Sequence, residues 1–315
     1  MQSDMKMKKY ILMAVVALSM LTACDHDELS EISVFEDVPV LDSTSYTFEF
    51  DDYLYHTYLL DYNIAFQYKL KDETTDMEYN LIPVEYDKAK IVAHVVKYLW
   101  IDVYTKQVSK DFLRMYTPRI INVLGSPAMN AAQHTETLGV AEGGIKITLY
   151  NMNGIDLNNI TWLNKYIFHV MHHEFSHILH QTKSFPKEYE QLSAGLYDSQ
   201  SWQYYEDTTA YHKGFVTPYS MSEAHEDFVE VISSYITDTR EVWADRGFTM
   251  AEDHTHIIEY DSDVPGADMI NTKITYCKDW LLDKYGFHLD SIRAEVQRRQ
   301  DAMTEEIVMN DLYDK

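Results

Sequence analysis

Residues that build cross-linked or irregular folds are scarce in this sequence. Its 315 residues include only 2 cysteines, 10 glycines and 7 prolines. Two cysteines cannot support a fold that depends on several disulfides, and few glycines and prolines favour a helix-rich protein. Because apolar residues make up 46% of the chain, we expect a globular core rather than a disordered chain.

Basic residues are also scarce. The chain has 26 lysines and arginines against 51 aspartates and glutamates, which gives a formal net charge of -25. A chain this acidic is repelled by phosphate backbones. We therefore expect no nucleic acid among its partners.

Long apolar runs are rare as well, and the clearest one lies near the N-terminus. Residues 11–21 are almost unbroken apolar and follow the basic residues Lys6, Lys8 and Lys9. The run is too short to span a bilayer comfortably and has the layout of a secretion signal. It ends in the sequence LTAC, residues 21–24, which resembles the lipobox of bacterial lipoproteins.

The resemblance to a lipobox implies cleavage before Cys24 and lipidation of its thiol. Residues 1–23 would then be a lipoprotein signal peptide, and residues 24–39 a flexible tether to the outer membrane. The rest of the protein would lie on the cell surface or face the periplasm. An ordinary signal peptide with an incidental cysteine is the alternative. Cys277 lies in an apolar helical pattern and is expected to be a buried, inert thiol.

Apolar periodicity predicts an α+β fold in one unit, residues 40–315. We expect a small mixed sheet, a long helix that carries the functional motif, capped by Asn158 or Asn159, and a mostly helical C-terminal part. Residues 144–151 form either a cleft-edge strand that pairs with a peptide or an ordinary sheet strand. The predicted strands are 62–70, 119–124 and 144–151, and the predicted helices are 89–104, 160–181, 221–237, 239–246, 269–284 and 289–303.

The most informative segment is residues 173–177, which read HEFSH. On a helix, His173 and His177 lie on one face, about 6 Å apart along the axis, so their imidazoles can bind one tetrahedral Zn²⁺. Glu174 is rotated by about 100° from the first histidine and can reach the attacking water as a general base. A cluster of partly buried histidines without a metal is the alternative.

Zinc needs a third protein ligand. His180 shares the helix face, but it lies about 10.5 Å along the axis from His173, too far for one ion with bonds near 2.1 Å. On a later predicted helix, Glu226 and Glu230 share one face. One of these carboxylates can bind zinc, and the other can accept a hydrogen bond from a ligand imidazole. Glu223 is the alternative ligand, and a solvated acidic face is the alternative to both.

The HEFSH motif together with the later EDFVE segment, residues 226–230, resembles the gluzincin metallopeptidases, and most closely the catalytic domain of anthrax lethal factor. The resemblance implies one zinc per chain with Glu226 as the third ligand. It also implies that Glu230 accepts a hydrogen bond from a ligand imidazole and that Tyr219 stabilises the oxyanion. Val229 departs from the pattern, which usually has alanine there.

The order of lipobox, HEFSH helix, EDFVE helix and helical C-terminal third resembles the zinc metallohydrolase lipoproteins associated with TonB-dependent nutrient import. The resemblance implies a peptide or protein substrate, a lipid anchor, and a TonB-dependent transporter with its surface binding lipoprotein as partners. We therefore expect a zinc-dependent metallohydrolase that acts as a surface endopeptidase. The alternatives are a non-enzymatic surface binding lipoprotein and a zinc amidase that acts on cell-wall peptide.

Overall fold

The computed structural model describes residues 41–70, 81–130, 135–142 and 144–303. The predicted signal peptide and tether, with the lipidation site Cys24, lie outside the described residues and stay predictions. The chain divides into two compact units, residues 1–48 and 49–315. In the described end of the first unit, Asp42 stabilises a turn by accepting a 2.9 Å hydrogen bond from the backbone N–H of Thr44. The functional site belongs to the second unit.

The main sheet is small and mixed. The described strands are β1 (Ala65–Gln67), β2 (Ile120–Val123), β3 (Ala128–Asn130), β4 (Thr135–Thr137), β5 (Gly139–Glu142), β6 (Lys146–Leu149), β7 (Phe248–Met250) and β8 (Ile257–Tyr260). Four of them form one sheet in the order β1-β2-β6-β5, in which β1, β2 and β6 are parallel and β5 is antiparallel to β6. Two further antiparallel pairs join β3 to β4 and β7 to β8.

Helices make up most of the remaining structure. The described α-helices are α1 (Phe48–Leu54), α2 (Tyr86–Val96), α3 (Asp102–Gln107), α4 (Lys110–Tyr116), α5 (Ile160–Leu163), α6 (His169–Thr182), α7 (Lys187–Leu192), α8 (Asp207–His212), α9 (Ala224–Thr237), α10 (Arg240–Asp245), α11 (Ala267–Tyr285) and α12 (Leu289–Ala302). Wider π-helical turns follow α1, α2 and α5, at Tyr55–Leu60, Lys97–Ile101 and Asn164–Phe168, and short 3₁₀ helices lie at Met152–Gly154, Trp202–Tyr204 and Tyr219–Met221. Within the described part of the chain, none of these helices combines the length and the apolarity needed to cross a bilayer.

The predicted α+β architecture is confirmed, with a small mixed sheet and a mostly helical C-terminal part. The long motif helix runs from residue 160 to 182 as α5, a π-turn and α6. Asn159 caps it by accepting a 2.9 Å hydrogen bond from the backbone N–H of Trp162. The strand predicted at 62–70 shortens to β1, because only Ala65–Gln67 pairs with β2. Cys277 of α11 is fully buried, as expected, and burial raises the pKa of its thiol.

The edge of the sheet is not formed by residues 144–151. Their strand, β6, lies inside the sheet, paired with β2 on one side and β5 on the other. Of the two sequence readings, the ordinary sheet strand is the correct one. The edge strand beside β6 is β5, which the sequence did not predict, and β1 forms the opposite edge. The four residues of β5 read GVAE, which is too short and too weakly apolar to show an alternating pattern.

Aromatic packing fixes the two helices that carry the sequence motifs. Phe175, inside the HEFSH motif, is fully buried, and its ring centroid lies 5.2 Å from that of Trp100 and 5.0 Å from that of Tyr104. On α9, Phe228 is fully buried and stacks on Phe185 at 4.3 Å. Such ring pairs add to the free energy gained from burial. Because α6 and α9 pack along each other, their polar faces meet at the edge of this core.

Charged side chains tie the C-terminal helices to the rest of the second unit. Lys273 Nζ of α11 lies 2.7 Å from Asp227 Oδ2 of α9, and both side chains are fully buried. Glu295 of α12 pairs with Arg298 on its own helix and with Lys106 of α3. Burial alone would raise the pKa of Glu295, but these hydrogen bonds hold it at about 2. Both carboxylates therefore act as cross-links between helices.

Candidate metal centre

Two packed helices bring together four polar side chains that the sequence analysis singled out. His173 and His177 lie one turn apart on α6, and Glu226 and Glu230 lie one turn apart on α9. The π-turn Asn164–Phe168 directly precedes α6, and such local widening of a helix is frequent at functional sites. The four side chains lie where the polar faces of α6 and α9 meet.

Three atoms of the predicted ligands point at one another. His173 Nε2 lies 3.1 Å from Glu226 Oε2, and His177 Nε2 lies 3.3 Å from the same oxygen. The two Nε2 atoms are 3.1 Å apart. A tetrahedral zinc ion with bonds of about 2.1 Å holds its ligand atoms about 3.4 Å apart. The three atoms could therefore hold one zinc ion after shifts of about 0.3 Å.

Glu223, the alternative ligand from the sequence, lies elsewhere. It occupies the position just before α9, its side chain is 61% exposed, and its carboxylate lies 3.9 Å from His225 Nδ1. Among the contacts of the described residues, none joins the carboxylate of Glu223 to Nε2 of His173 or of His177. The geometry favours Glu226 over Glu223.

Glu230 lies behind His173. Its Oε1 accepts hydrogen bonds from His173 Nδ1 at 2.8 Å and from His169 Nε2 at 2.7 Å. His169, His173 and Glu230 also form a group that could hold an ion. Their spacings of 2.7 and 2.8 Å depart further from the spacing of about 3.4 Å between zinc ligands than the 3.1–3.3 Å of His173, His177 and Glu226 does. We therefore interpret Glu230 as a hydrogen-bond acceptor. It keeps the proton of His173 on Nδ1 and leaves Nε2 available to a metal.

His180 lies on the Nδ1 side of His177, as Glu230 lies on the Nδ1 side of His173. Nδ1 of His177 lies 3.0 Å from Nε2 of His180. Burial, together with the nearby imidazoles of His177 and His225, lowers the pKa of His180 to about 4. A neutral His180 can accept the Nδ1–H of His177, which leaves Nε2 of His177 for the metal. We therefore interpret His180 as a hydrogen-bond partner of a predicted ligand rather than as a ligand, in agreement with the axial distance.

The electrostatics of the centre favour a cation. Burial opposes ionisation, but hydrogen bonds from His173 and His177 hold the pKa of Glu226 well below its usual range. The neighbouring His169 does the same for the pKa of Glu230, against the effect of burial. Both groups are therefore carboxylates at neutral pH. Burial lowers the pKa of His173, but its hydrogen bonds to the two carboxylates raise it well above its usual value, so metal binding would displace a proton.

Tyr219 and Glu174 flank the three predicted ligands. The ring of Tyr219 lies 5.9 Å from the imidazole of His173 and packs edge-on against Trp202 at 4.9 Å. Partial burial and the charge of Glu226 raise the pKa of Tyr219, so the phenol keeps its proton at neutral pH and can donate it in a hydrogen bond. Glu174 is only 7% exposed.

The centre lies in a cleft that continues on both sides of it. One cavity of about 740 Å³ extends past Trp202 and Tyr205, and a second of about 620 Å³ extends past His180. Because Gly139 lines both cavities and begins β5, the edge strand borders the cleft. The residues shared by the two cavities are Thr137, Gly139, His173, Glu174 and Tyr219.

Sequence reasoning missed two residues of the centre. His169 lies four residues before His173, so the one-turn spacing that identified the motif could also have pointed to it. Thr217 has no such signal, because its place depends on how the chain folds back. Its Oγ1 donates a 2.5 Å hydrogen bond to Glu230 Oε2. Both residues contact Glu230 and hold its carboxylate in place.

Known proteins resemble this chain over most of its length. Residues 43–290 match the family described as "Putative zinc-binding metallo-peptidase". A crystal structure of a "putative zinc-binding metallo-peptidase" from Bacteroides caccae is 34% identical to the chain, with a TM-score of 0.67, and the match covers 84% of this chain and 94% of that chain. No curated protein matches the chain. On the family match and this likeness, the chain belongs to the zinc-binding metallo-peptidase family that bears that description.

Proposed function

We propose that the protein is a zinc-dependent endopeptidase that binds one zinc ion per chain through His173, His177 and Glu226. The observation that supports it most is the spacing of the three ligand atoms, 3.1 Å, 3.1 Å and 3.3 Å, which suits a tetrahedral ion. The remaining nitrogen of each imidazole already has a hydrogen-bond partner. Both rings are therefore oriented with Nε2 toward the ion.

Glu174 is the proposed general base. When bound, zinc supplies a Lewis acid that polarises the scissile carbonyl and makes water more acidic. Glu174 follows His173 on the helix and lines both cavities beside the centre. It would accept the proton of the attacking water and pass it to the amine nitrogen as the C–N bond breaks.

Tyr219 is the proposed oxyanion donor. Its phenol lies at the rim of the centre, between the imidazole of His173 and the ring of Trp202. A protonated phenol in that position would donate a hydrogen bond to the oxygen of the carbonyl as negative charge develops on it. One such donor typically contributes about 10²–10³ to kcat.

The shape of the cleft supports cleavage within a chain rather than at its end. Cavities lie on both sides of the centre, so a substrate can continue past it in both directions. Among the described residues that line these cavities, Lys165 is the only lysine or arginine, and its Nζ lies 3.6 Å from Glu136 Oε2. A free arginine or lysine, which would bind the terminal carboxylate of a carboxypeptidase substrate strongly, is therefore not found among these residues. Strand β5 offers an edge to which an extended peptide could add.

The proposal includes a location and partners, which are supported by the sequence. The LTAC sequence supports lipidation of Cys24 and anchoring in the outer membrane. From that anchor the enzyme would trim peptides or proteins at the cell surface, or at the periplasmic face, for import. A TonB-dependent transporter and its surface binding lipoprotein would then receive the products.

Glu174→Gln tests the enzymatic part of the proposal. We expect the purified wild-type protein to contain one zinc per chain and to cleave internal bonds of a peptide library. Glu174→Gln should keep its zinc and lose cleavage, because an amide cannot accept the proton. Cleavage of cell-wall peptide alone would instead indicate an amidase, and hydrolysis of neither substrate would indicate a binding protein.

A matched pair of variants tests the ligand set. Glu226→Gln removes the carboxylate that lies beside both imidazoles, whereas Glu223→Gln makes the same chemical change at an exposed side chain three residues earlier. Zinc content should fall in Glu226→Gln and stay at one per chain in Glu223→Gln. The opposite result would make Glu223 the ligand and refute the assignment of Glu226.

A further inference from the structure

The hydroxyl of Thr217 joins two parts of the site that come from different segments of the chain. Its Oγ1 donates a 2.5 Å hydrogen bond to Glu230 Oε2 on α9. The same oxygen accepts a 3.1 Å hydrogen bond from the backbone N–H of Ser220. One hydroxyl thus acts as donor to the carboxylate and as acceptor for the chain next to Tyr219.

The turn that carries Tyr219 is closed by reciprocal hydrogen bonds. Besides its bond to Thr217 Oγ1, Ser220 accepts a 3.1 Å hydrogen bond on its Oγ from the backbone N–H of Thr217. Ser220 Oγ also donates to the carbonyl of Thr217 at 2.6 Å. Ser220 is fully buried. Because Tyr219 lies between these two residues, the position of its backbone follows the position of Thr217.

Thr217 is also connected, through Glu230, to the proposed zinc ligand His173. Oε2 of Glu230 accepts the hydrogen bond from Thr217 Oγ1, while Oε1 accepts those from His173 Nδ1 and His169 Nε2. Glu230 is only 3% exposed, so water has little access to replace a lost donor. A buried acceptor that loses its partner is costly, and the carboxylate would have to move to find another. Any such movement would be passed directly to the imidazole of His173.

We infer that Thr217 is a positioning residue that fixes the position of Tyr219, the proposed oxyanion donor, relative to His173, the proposed zinc ligand. Its hydroxyl holds Glu230 in the orientation that directs His173 Nε2 to the ion, and it holds the turn that directs Tyr219 to the substrate. The inference about Tyr219 rests on the proposed function. The inference about His173 concerns metal binding alone and can be measured without a substrate.

The need for a hydroxyl at this position defines the test. Thr217→Val keeps the shape of the side chain but can neither donate to Glu230 nor accept from Ser220. Thr217→Ser keeps both hydrogen bonds. Thr182→Val is the matched control, because Thr182 Oγ1 also makes one 2.8 Å hydrogen bond, to the carbonyl of Ile178 at the far end of the motif helix.

The first readout is zinc affinity, measured by competition with a chelator. Loss of a group that orients a metal ligand typically weakens metal binding or activity by about 10–100-fold. We expect Thr217→Val to bind zinc at least about 10-fold more weakly, with Thr217→Ser and Thr182→Val within about threefold of wild type. Zinc binding by Thr217→Val as tight as wild type would overturn the inference. So would a loss that Thr217→Ser fails to restore, because that would indicate a packing defect. If Thr217→Val does not fold, the zinc affinity of Thr217→Ala is compared with those of Thr217→Ser and wild type instead.

The second readout separates this inference from the proposed function. With zinc saturating, we expect kcat of Thr217→Val to fall by about 10–100-fold while KM changes less than about threefold. The effect of Tyr219→Phe on kcat should then be much smaller in the Thr217→Val background than in wild type, because the phenol is already misplaced. Full additivity of the two losses would refute the link to Tyr219. If wild type cleaves no substrate, the proposed function fails, while the zinc affinities still decide the role of Thr217.

Discussion

The proposed oxyanion donor gives the sharpest prediction on catalysis. Tyr219→Phe removes one hydroxyl and leaves the ring, which packs 4.9 Å from Trp202 and 5.9 Å from the imidazole of His173. Because ring packing is kept, the change removes only the hydrogen bonds of the phenol. These are its bond to Glu226 and the proposed bond to the oxyanion. The phenol is protonated at neutral pH, since partial burial and the charge of Glu226 raise the pKa of Tyr219. It is therefore a donor in wild type under assay conditions.

The expected loss follows from the number of donors removed. One oxyanion donor is worth about 2.7–4 kcal/mol, or about 10²–10³ in kcat. With zinc in excess, zinc content should stay at one per chain, because the three proposed ligands are kept. KM should stay near wild type, because the proposed bond to the oxyanion forms only in the transition state. Initial rates of peptide cleavage over a range of substrate concentrations measure both constants.

A neighbouring tyrosine provides the control. Tyr204 ends the 3₁₀ helix that begins with Trp202 and is 76% exposed, so Tyr204→Phe removes a hydroxyl without touching the centre. We expect its kcat within about twofold of wild type, as for most exposed substitutions. A kcat for Tyr219→Phe within about threefold of wild type would refute the assigned role. Loss of zinc in that variant would point to metal binding instead.

Three further predictions concern metal orientation and stability. His180→Leu removes the acceptor for His177 and should weaken zinc binding by about 10–100-fold in chelator competition; unchanged affinity would contradict the tautomer assignment. Asp227→Asn leaves Lys273 buried without its charge partner and should lower the free energy of urea unfolding by about 3–5 kcal/mol, with partial recovery when Lys273→Met is added; a loss below about 1 kcal/mol would contradict the cross-link. Glu295 has a folded-state pKa of about 2, below its unfolded value of about 4.3, so the stability it contributes is present above pH 4.3 and lost as pH falls toward 2. Glu295→Gln should therefore be less stable than wild type at pH 7, with a gap that narrows below about pH 4.3; a gap that widens on acidification would contradict this.

The sequence predicted those parts of the fold that are determined by residues close together in the chain. Four-residue spacing placed His173 and His177 on one helix face, and apolar periodicity found the longer helices of the structure, α2, α6, α9, α11 and α12, together with α10. It missed the short helices α1, α4, α7 and α8. The exclusion of His180 as a ligand needed only the rise of a helix. The shared helix face favoured Glu226 and Glu230 over Glu223, but only the family resemblance indicated which of the two binds zinc.

The parts that were missed depend on contacts between distant segments. Strand β5 carries too little apolar pattern to be recognised, and it exists because β6 offers it a partner. The π-turn at Asn164–Phe168 has the composition of an ordinary α-helix, so the sequence does not reveal it. The contact between Thr217 and Glu230 spans 13 residues across a turn and a helix. Its geometry follows from the packing of α9 and not from any local motif.

The most direct test of the central claim is a crystal structure of the protein grown with zinc, with anomalous diffraction recorded at the zinc absorption edge. We expect one peak per chain, about 2.0–2.2 Å from His173 Nε2, His177 Nε2 and a carboxylate oxygen of Glu226. Glu230 should remain on the Nδ1 side of His173. A peak bound by Glu223 or His180, or no peak between α6 and α9, would contradict the account.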